Sequence, residues 1–156
     1  MGRPLATLAA LGLLAASLAG CAHEQVADSG YRWAFLRDPG EAPRLAYGRP
    51  FSDDVILMLS CSPGADSVRI SAVGLNGREI VLASNRTESR YPAQRAESAL
   101  VENGLLEARG QMSSPALAAF QHTGDLTVLT NGERHNLHAS REDEGQVKAF
   151  FRSCAA

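Results

Sequence analysis

The sequence has little net charge and carries no recognisable catalytic motif. Lysine and arginine number 15 against 17 aspartates and glutamates, which gives a net charge of −2 at pH 7. This balance gives no electrostatic case for nucleic acid, which proteins bind through strongly basic surfaces. The chain also lacks a glycine-rich phosphate loop, a zinc-ligand signature and a G-x-S-x-G elbow. The sequence therefore predicts no catalytic residue, no metal and no cofactor.

Two of the four histidines have a spacing that suits metal binding only in a helix. His135 and His138 follow Asn131-Gly132, a dipeptide typical of a tight turn between two strands. In a strand, residues three apart point to opposite faces, so these side chains would not converge on one ion. We therefore expect no metal site here.

Long apolar runs are confined to the first 20 residues. After Arg3, residues 5–18 contain only Ala, Leu, Thr, Gly and Ser. A charged start, an apolar run of this length and small residues before a cut are typical of a secretory signal peptide, and the run is too short to span a bilayer. We therefore assign residues 1–20 to a signal peptide.

The end of this run, Leu18-Ala19-Gly20-Cys21, resembles the lipobox of bacterial lipoproteins. The resemblance implies cleavage before Cys21 and acylation of that cysteine, with residues 21–30 as the lipidated cysteine and a flexible tether. Two or three acyl chains hold a protein firmly, because one chain anchors only marginally at about 0.8 kcal/mol per buried CH2. Ala22 after the cysteine resembles the outer-membrane sorting pattern of enteric bacteria, so the implied location is the periplasmic side of the outer membrane. The alternative is an ordinary signal peptide that leaves Cys21 unmodified or in a disulfide.

Lipidation of Cys21 leaves two further cysteines, Cys61 and Cys154. In an oxidising periplasm an even pair most simply forms one disulfide. The bridge would close a loop of 92 residues (154 − 61 − 1). The chain-entropy model gives about 4 to 5 kcal/mol for a loop of this size. Two buried thiols or a thiol-based active site are the alternatives, but no C-x-x-C pair supports the latter.

Residues 31–156 predict a single β-rich domain. Short alternating or apolar segments favour strands at 31–35, 44–47, 55–61, 67–72, 78–82, 105–109, 126–130 and 133–138. The most apolar segment, 55–61, predicts a central strand covered on both faces. The polar segment 84–99 is consistent with an edge strand, since Pro92 disfavours a central position.

Three tight-turn signals predict hairpins. Asn76-Gly77 separates segments 67–72 and 78–82 and is the strongest of these signals, and Asn131-Gly132 separates the last two strands. Asn103-Gly104 would join 100–101 to 105–109. Together with the short strands, these turns favour an antiparallel sandwich or a partly closed barrel over a helix-flanked parallel sheet.

Two helices complete the predicted fold. Ser114 before Pro115 predicts the start of a short helix near 114–122, ending before Gly124. Ser140 and Asp143 resemble a capping box that opens a C-terminal helix through residue 153. Its apolar stripe would place one cysteine on the buried face, toward Cys61, and consists of Val147, Phe150, Phe151 and Cys154.

One cluster of basic residues is a candidate binding site. Arg86, Arg90 and Arg95 surround Tyr91, and arginines of this kind bind anionic groups while an aromatic residue anchors a partner. The expected ligand is an anionic envelope component or the surface of another protein. The alternative is a solvated edge or loop of ordinary arginine content.

Three short patterns resemble small uncharacterised secreted proteins of Gram-negative bacteria, and this resemblance implies no activity. The patterns are Leu45-Ala46-Tyr47-Gly48-x-Pro50 with Asp53 and Cys61, then Ser114-Pro115-x-Leu117-Ala118-Ala119-Phe120 through Gly124, and Phe150-Phe151-x-x-Cys154. The sequence as a whole favours a non-enzymatic lipoprotein that binds a protein or an envelope polymer. A periplasmic hydrolase with an unrecognised site is one alternative; a lysozyme-inhibitor-like protein or a structural envelope component is the other.

Overall fold

Alternating apolar residues along nine strands build one antiparallel sheet with two helices packed on its apolar face. The computed structural model describes residues 30–97, 104–130 and 133–156, so the signal peptide, Cys21 and the tether before Gly30 lie outside the described residues. The elements are β1 (Arg32–Leu36), β2 (Arg44–Gly48), β3 (Val55–Cys61), β4 (Val68–Val73), β5 (Glu79–Ser84), β6 (Thr87–Ala96), β7 (Leu105–Gly110), α1 (Pro115–Thr123), β8 (Asp125–Thr130), β9 (Glu133–His138) and α2 (Glu144–Ala155).

The strand order is β1-β2-β3-β4-β7-β6-β5-β8-β9, and the sheet curves into a nearly closed barrel. This architecture confirms the predicted class, which was mainly antiparallel β with a short helix and a C-terminal helix. Within the described ranges, neither helix is long and apolar enough to cross a bilayer.

Strand β6 forms the corner of the barrel. Its first half, 87–92, pairs with β5, and its second half, 93–96, pairs with β7. Pro92 lies where the strand changes neighbour, a position that suits a residue with no backbone N–H to donate. The segment that was predicted as an edge strand therefore lies in the interior of the sheet. Each half of β6 nevertheless pairs with one neighbouring strand, β5 for the first half and β7 for the second.

The hairpin predicted at Asn76-Gly77 is wrong. β4 pairs with β3 and β7, whereas β5 pairs with β6 and β8. The loop between β4 and β5 instead carries the chain across to β6, where the carbonyl of Arg78 accepts from the N–H of Ala93. A turn signal reports local backbone geometry, and the long-range pairing of β4 with β7 overrides the neighbour that it suggests.

The actual tight hairpin at this part of the sheet has a different turn. Ser84 lies opposite Thr87, so Asn85 and Arg86 form a two-residue turn between β5 and β6. Asn85 adopts a positive φ of 55°, which Asn tolerates better than most residues. The hairpin predicted between β8 and β9 is confirmed by their pairing, although its turn residues 131–132 lie outside the described residues.

The third predicted hairpin is also altered. Leu105–Gly110 forms β7, as expected for this segment, but its partners are β4 and the second half of β6. Its other predicted arm, 100–101, lies outside the described residues.

The core lies between the sheet and the two helices. Leu57, Leu59 and Cys61 of β3 are buried, while the alternate residues of this strand are half-buried. The sequence predicted a strand covered on both faces, whereas β3 is fully covered on one face only. Phe120 of α1 packs on the Trp33 indole, with ring centroids 4.9 Å apart.

Helix α1 begins and ends as predicted. Ser114 precedes Pro115 at the first helical position, and Gly124 ends the helix in the left-handed conformation. The Ser114 hydroxyl bonds the Tyr91 hydroxyl rather than a helix N–H. Ser89 Oγ accepts from the N–H of Ala116 instead, at 3.1 Å, so β6 supplies the cap.

The residues just before α2 and Trp33 connect the edge strands β1 and β9 by hydrogen bonds. The N–H of Asp143 donates to Ser140 Oγ at 3.2 Å, which is one half of the predicted capping box. The Asp143 carboxylate does not return this bond and accepts from the N–H of Trp33 at 3.4 Å. Trp33 Nε1 in turn donates to the carbonyl of Leu137 in β9. The predicted apolar stripe of α2 is buried along its length.

The predicted disulfide is confirmed. Cys61 at the end of β3 is bonded to Cys154 of α2. The N–H of Gly64 also donates to the carbonyl of Cys154 at 2.9 Å. The C-terminal helix is therefore fixed to the end of β3.

Candidate functional site

The structure does not bring the predicted arginine cluster together. Arg86 lies in the turn between β5 and β6, and Arg90 faces outward between Glu79 and Glu88, at 2.9 and 2.7 Å. Strand alternation sends Tyr91 to the opposite face, where it is 4% exposed.

Arg95 lies beyond the corner at Pro92 and donates to Asn76 Oδ1 at 2.8 Å. The four residues therefore do not form one site, because the strand that carries them alternates and then turns.

Tyr91 has a structural position and is not accessible as an anchor. Its ring packs on Gly110 of β7, where an added Cβ would come within 2.3 Å of a ring carbon. Its hydroxyl bonds Ser114 at the start of α1. Tyr91 thus connects β6 to β7 and α1 from inside the barrel.

An arginine pair with no acidic partner lies elsewhere on the outer face. Arg69 of β4 and Arg109 of β7 are directly opposite each other in the sheet register, and both are exposed. Neither forms an ion pair within the part of the chain that the structure describes. Like charges directly opposite in a sheet are destabilising, so this arrangement lowers stability in the absence of an anion.

A third arginine in the same row across the sheet shows the contrast. Arg44 of β2 is opposite Ser60 of β3, which is opposite Arg69. Arg44 is neutralised by Asp38 at 2.8 Å and by Glu41 at 2.6 Å. The positive charge of this row is therefore concentrated at the arginine pair.

Two surface grooves meet at the arginine pair. One has a cavity volume of about 400 Å³ and extends over β7 and the second half of β6, past Gln94, Arg95 and Glu107. Glu107 forms no ion pair among the described residues. Arg69 and Arg109 therefore share this groove with one carboxylate, while the Arg95 guanidinium is engaged with Asn76.

The second groove adds hydroxyl groups on the other side of the arginine pair. Its cavity volume is about 240 Å³, and its lining includes Ser60, Ser62 and Ser67. Hydroxyls can donate to an anion, and guanidinium groups bind carboxylate or phosphate oxygens with two parallel hydrogen bonds. The two grooves and the arginine pair together, the arginine groove, can bind an extended anionic group.

The loop that carries two of these serines is fixed at both ends. It follows Cys61 directly, and Asp66 within it accepts from the N–H of Ser113 at 2.8 Å and from the Ser113 hydroxyl. These hydrogen bonds lower the pKa of the Asp66 carboxyl, and the bond from the Ser113 hydroxyl has the larger effect. These bonds and the disulfide therefore hold the loop in place.

Sequence reasoning missed the arginine pair for a physical reason. Alternation places Arg69 on the outer face of β4 and Arg109 on the outer face of β7, and both placements can be read locally. Their proximity depends on β4 pairing with β7, for which the sequence gives no local signal. The tight-turn signal at Asn76-Gly77 favoured β5 as the neighbour instead.

A histidine and a carboxylate do meet on the surface, as a hydrolase would require. His138 of β9 is opposite Asp125 of β8, and its Nδ1 contacts the carboxylate. Their side chains are 74% and 58% exposed, and neither lines the arginine groove. The pair therefore lies on an open surface and not in a concave pocket of the kind that binds a substrate.

Metal ligands are likewise not grouped in the described ranges. Residues 30–97, 104–130 and 133–156 contain no cluster of three or more His, Cys, Asp or Glu side chains that could hold an ion.

Comparison of the chain with protein-family models, with curated proteins and with solved structures finds no match.

Proposed function

We propose that the protein is a lipoprotein of the outer membrane, anchored through Cys21 on the periplasmic side, whose barrel is a non-enzymatic binding module for an anionic envelope component. The opposition of Arg69 and Arg109 without an acidic partner is the observation that supports the binding role. The apolar leader and the lipobox-like residues 18–21 support the location.

The chemistry of the arginine groove favours phosphate or carboxylate groups. Opposed residues in antiparallel strands have Cβ atoms about 5 Å apart, so both guanidinium groups can reach one anion or two neighbouring anions. The grooves extend from the pair in two directions, which suits repeated charges along a polymer or along an acidic protein surface. An anion between the two arginines also removes the like-charge repulsion that the free protein carries.

Binding of linear polyphosphate and of poly-glutamate by the detergent-extracted protein tests this role. Replacement of both arginines (R69A with R109A) should weaken binding by at least about tenfold for two charge-assisted contacts. R90A is the matched control, because Arg90 is an outward arginine that two glutamates already neutralise. Equal affinity of the double variant and the native protein would overturn the binding role. The role would also be overturned if the native protein bound neither polyphosphate nor poly-glutamate at low salt.

The location has a separate test. The intact mass of the membrane-extracted protein should correspond to a chain that starts at Cys21 and carries acyl groups. A mass that corresponds to an unmodified chain starting at Ala22 or later would contradict the lipid anchor.

A further inference from the structure

The loop between β2 and β3 presents an aromatic ring entirely to solvent. Phe51 is 109% exposed, and the only other exposed large apolar residue among those described is Leu36 at 39%. Phe51 also has a positive φ of 59°, a conformation that is rare and unfavourable for a bulky residue, and strained residues of this kind cluster at functional sites.

Hydrogen bonds within the loop hold this conformation. The N–H of Arg49 donates to the carbonyl of Asp54 at 3.0 Å. The Ser52 hydroxyl donates to the carbonyl of Arg49 and accepts from the N–H of Asp54, at 2.9 and 3.2 Å. The exposed ring is thus displayed by an ordered turn.

The same loop lies where the tether enters the domain. The Tyr31 hydroxyl donates to Asp54 Oδ2 at 2.6 Å, and the Arg49 guanidinium lies 5.0 Å from the centre of the Tyr31 ring. The hydrogen bond to Asp54, followed by desolvation, raises the pKa of the Tyr31 hydroxyl. Residues 22–30 span at most about 30 Å when extended. A chain anchored at Cys21 therefore keeps this end of the barrel within about 30 Å of the membrane.

We infer that the β2–β3 loop contacts the lipid surface through Phe51, and that this contact orients the barrel with the arginine groove facing away from the membrane. The inference rests on the lipid anchor of the proposed function and not on its anion-binding role. Aromatic residues are enriched at the boundary between lipid headgroups and acyl chains, where an apolar ring is removed from water.

The geometry of β3 gives the orientation. The loop precedes Val55 at one end of this strand, while Ser60, beside Arg69, lies near the other end. Five residues of strand span roughly 17 Å, about half the thickness of a bilayer core. With β3 along the membrane normal, the groove is therefore well clear of the headgroups when Phe51 touches them.

The charge of the loop determines which lipids are a suitable probe. Arg49 is accompanied by Asp53 and Asp54, so the loop offers no net attraction to anionic headgroups. The ring itself should supply the contact, and vesicles of zwitterionic phosphatidylcholine should suffice.

Quenching of tryptophan fluorescence by brominated phosphatidylcholine in vesicles that carry the acylated full chain tests the inference. The F51W variant should be quenched, because its indole reaches the brominated chains. The matched control is L36W, since Leu36 is the other exposed apolar residue and lies opposite Arg44 at the far end of β1. The native Trp33 is buried and gives the background.

Quenching of F51W above the background, with L36W unchanged, would support the contact. No quenching of F51W, or equal quenching of both variants, would overturn it. The intact mass of the same samples separates the two proposals. An acylated chain without F51W quenching removes only the lipid contact, whereas an unacylated chain removes the anchor and this inference with it.

Discussion

Arg90 and Arg109 face outward from adjacent parts of one barrel but lie in opposite electrostatic surroundings. Arg90 on β6 is held between two glutamates, whereas Arg109 on β7 is opposite Arg69 and has no ion pair among the described residues. The segment around Arg90 is rich in arginine in the sequence, yet its charge is already neutralised. The proposed anion site thus rests on the residues across the neighbouring strand and not on the local density of arginine.

Loss of the disulfide should have the largest effect on stability, and it should affect the region around Arg109 more than the region around Arg90. The C61S and C154S double variant is expected to be less stable by about 3 to 5 kcal/mol, since the bridge restricts a long loop of the unfolded chain. Hydrogen exchange should rise most over 59–67 and 144–154, beside the arginine groove, and least over the β5–β6 hairpin that carries Arg90. If hydrogen exchange over 59–67 and 144–154 were the same with and without the bridge, this prediction would be contradicted.

An added methyl group at Gly110, where β7 packs on the Tyr91 ring of β6, should have an intermediate effect on stability. In G110A the new Cβ would overlap the Tyr91 ring, so we expect a loss of about 1 to 3 kcal/mol from overpacking. G145A is the matched control, because an added Cβ at Gly145 in α2 meets nothing within 4 Å and alanine favours a helix by up to about 1 kcal/mol. Chemical denaturation of both variants measures the difference, and a stability of G110A equal to that of the native protein would show that Tyr91 does not pack on β7.

Charge reversal should give the smallest effects, with opposite signs in the two regions. R109E places a carboxylate opposite Arg69 and should raise stability by up to about 1 kcal/mol at low salt, while R90E adds a third acid beside Glu79 and Glu88 and should lower it by a similar amount. Denaturation at low and high salt checks both, since salt screens exposed pairs. The same sign for both variants would mean that the two arginines have equivalent surroundings.

Local signals predicted the elements of this fold better than their neighbours. Ser114, Pro115 and Gly124 define α1 through capping, and the apolar stripe of α2 together with the parity of the cysteines gives the Cys61–Cys154 bridge. Each of these features depends on residues close in sequence or on a count. They could therefore be predicted without knowledge of the strand order.

The strand order could not be predicted, because it depends on pairing between strands that are distant in the sequence. The turn at Asn76-Gly77 does not pair its flanking strands, because β6 changes neighbour at Pro92 and the sheet turns a corner there. The arginine pair exists only as a result of this order. For the same reason Tyr91, which looks like an anchor within an arginine-rich segment, is part of the core.

Titration of the arginine side chains by NMR tests the central claim most directly. With linear polyphosphate added at low salt, the Nε–H signals of Arg69 and Arg109 should shift together and saturate, while the signal of Arg90 stays in place. A shift at Arg90 equal to that at Arg109, or no shift at the arginine pair, would contradict the account.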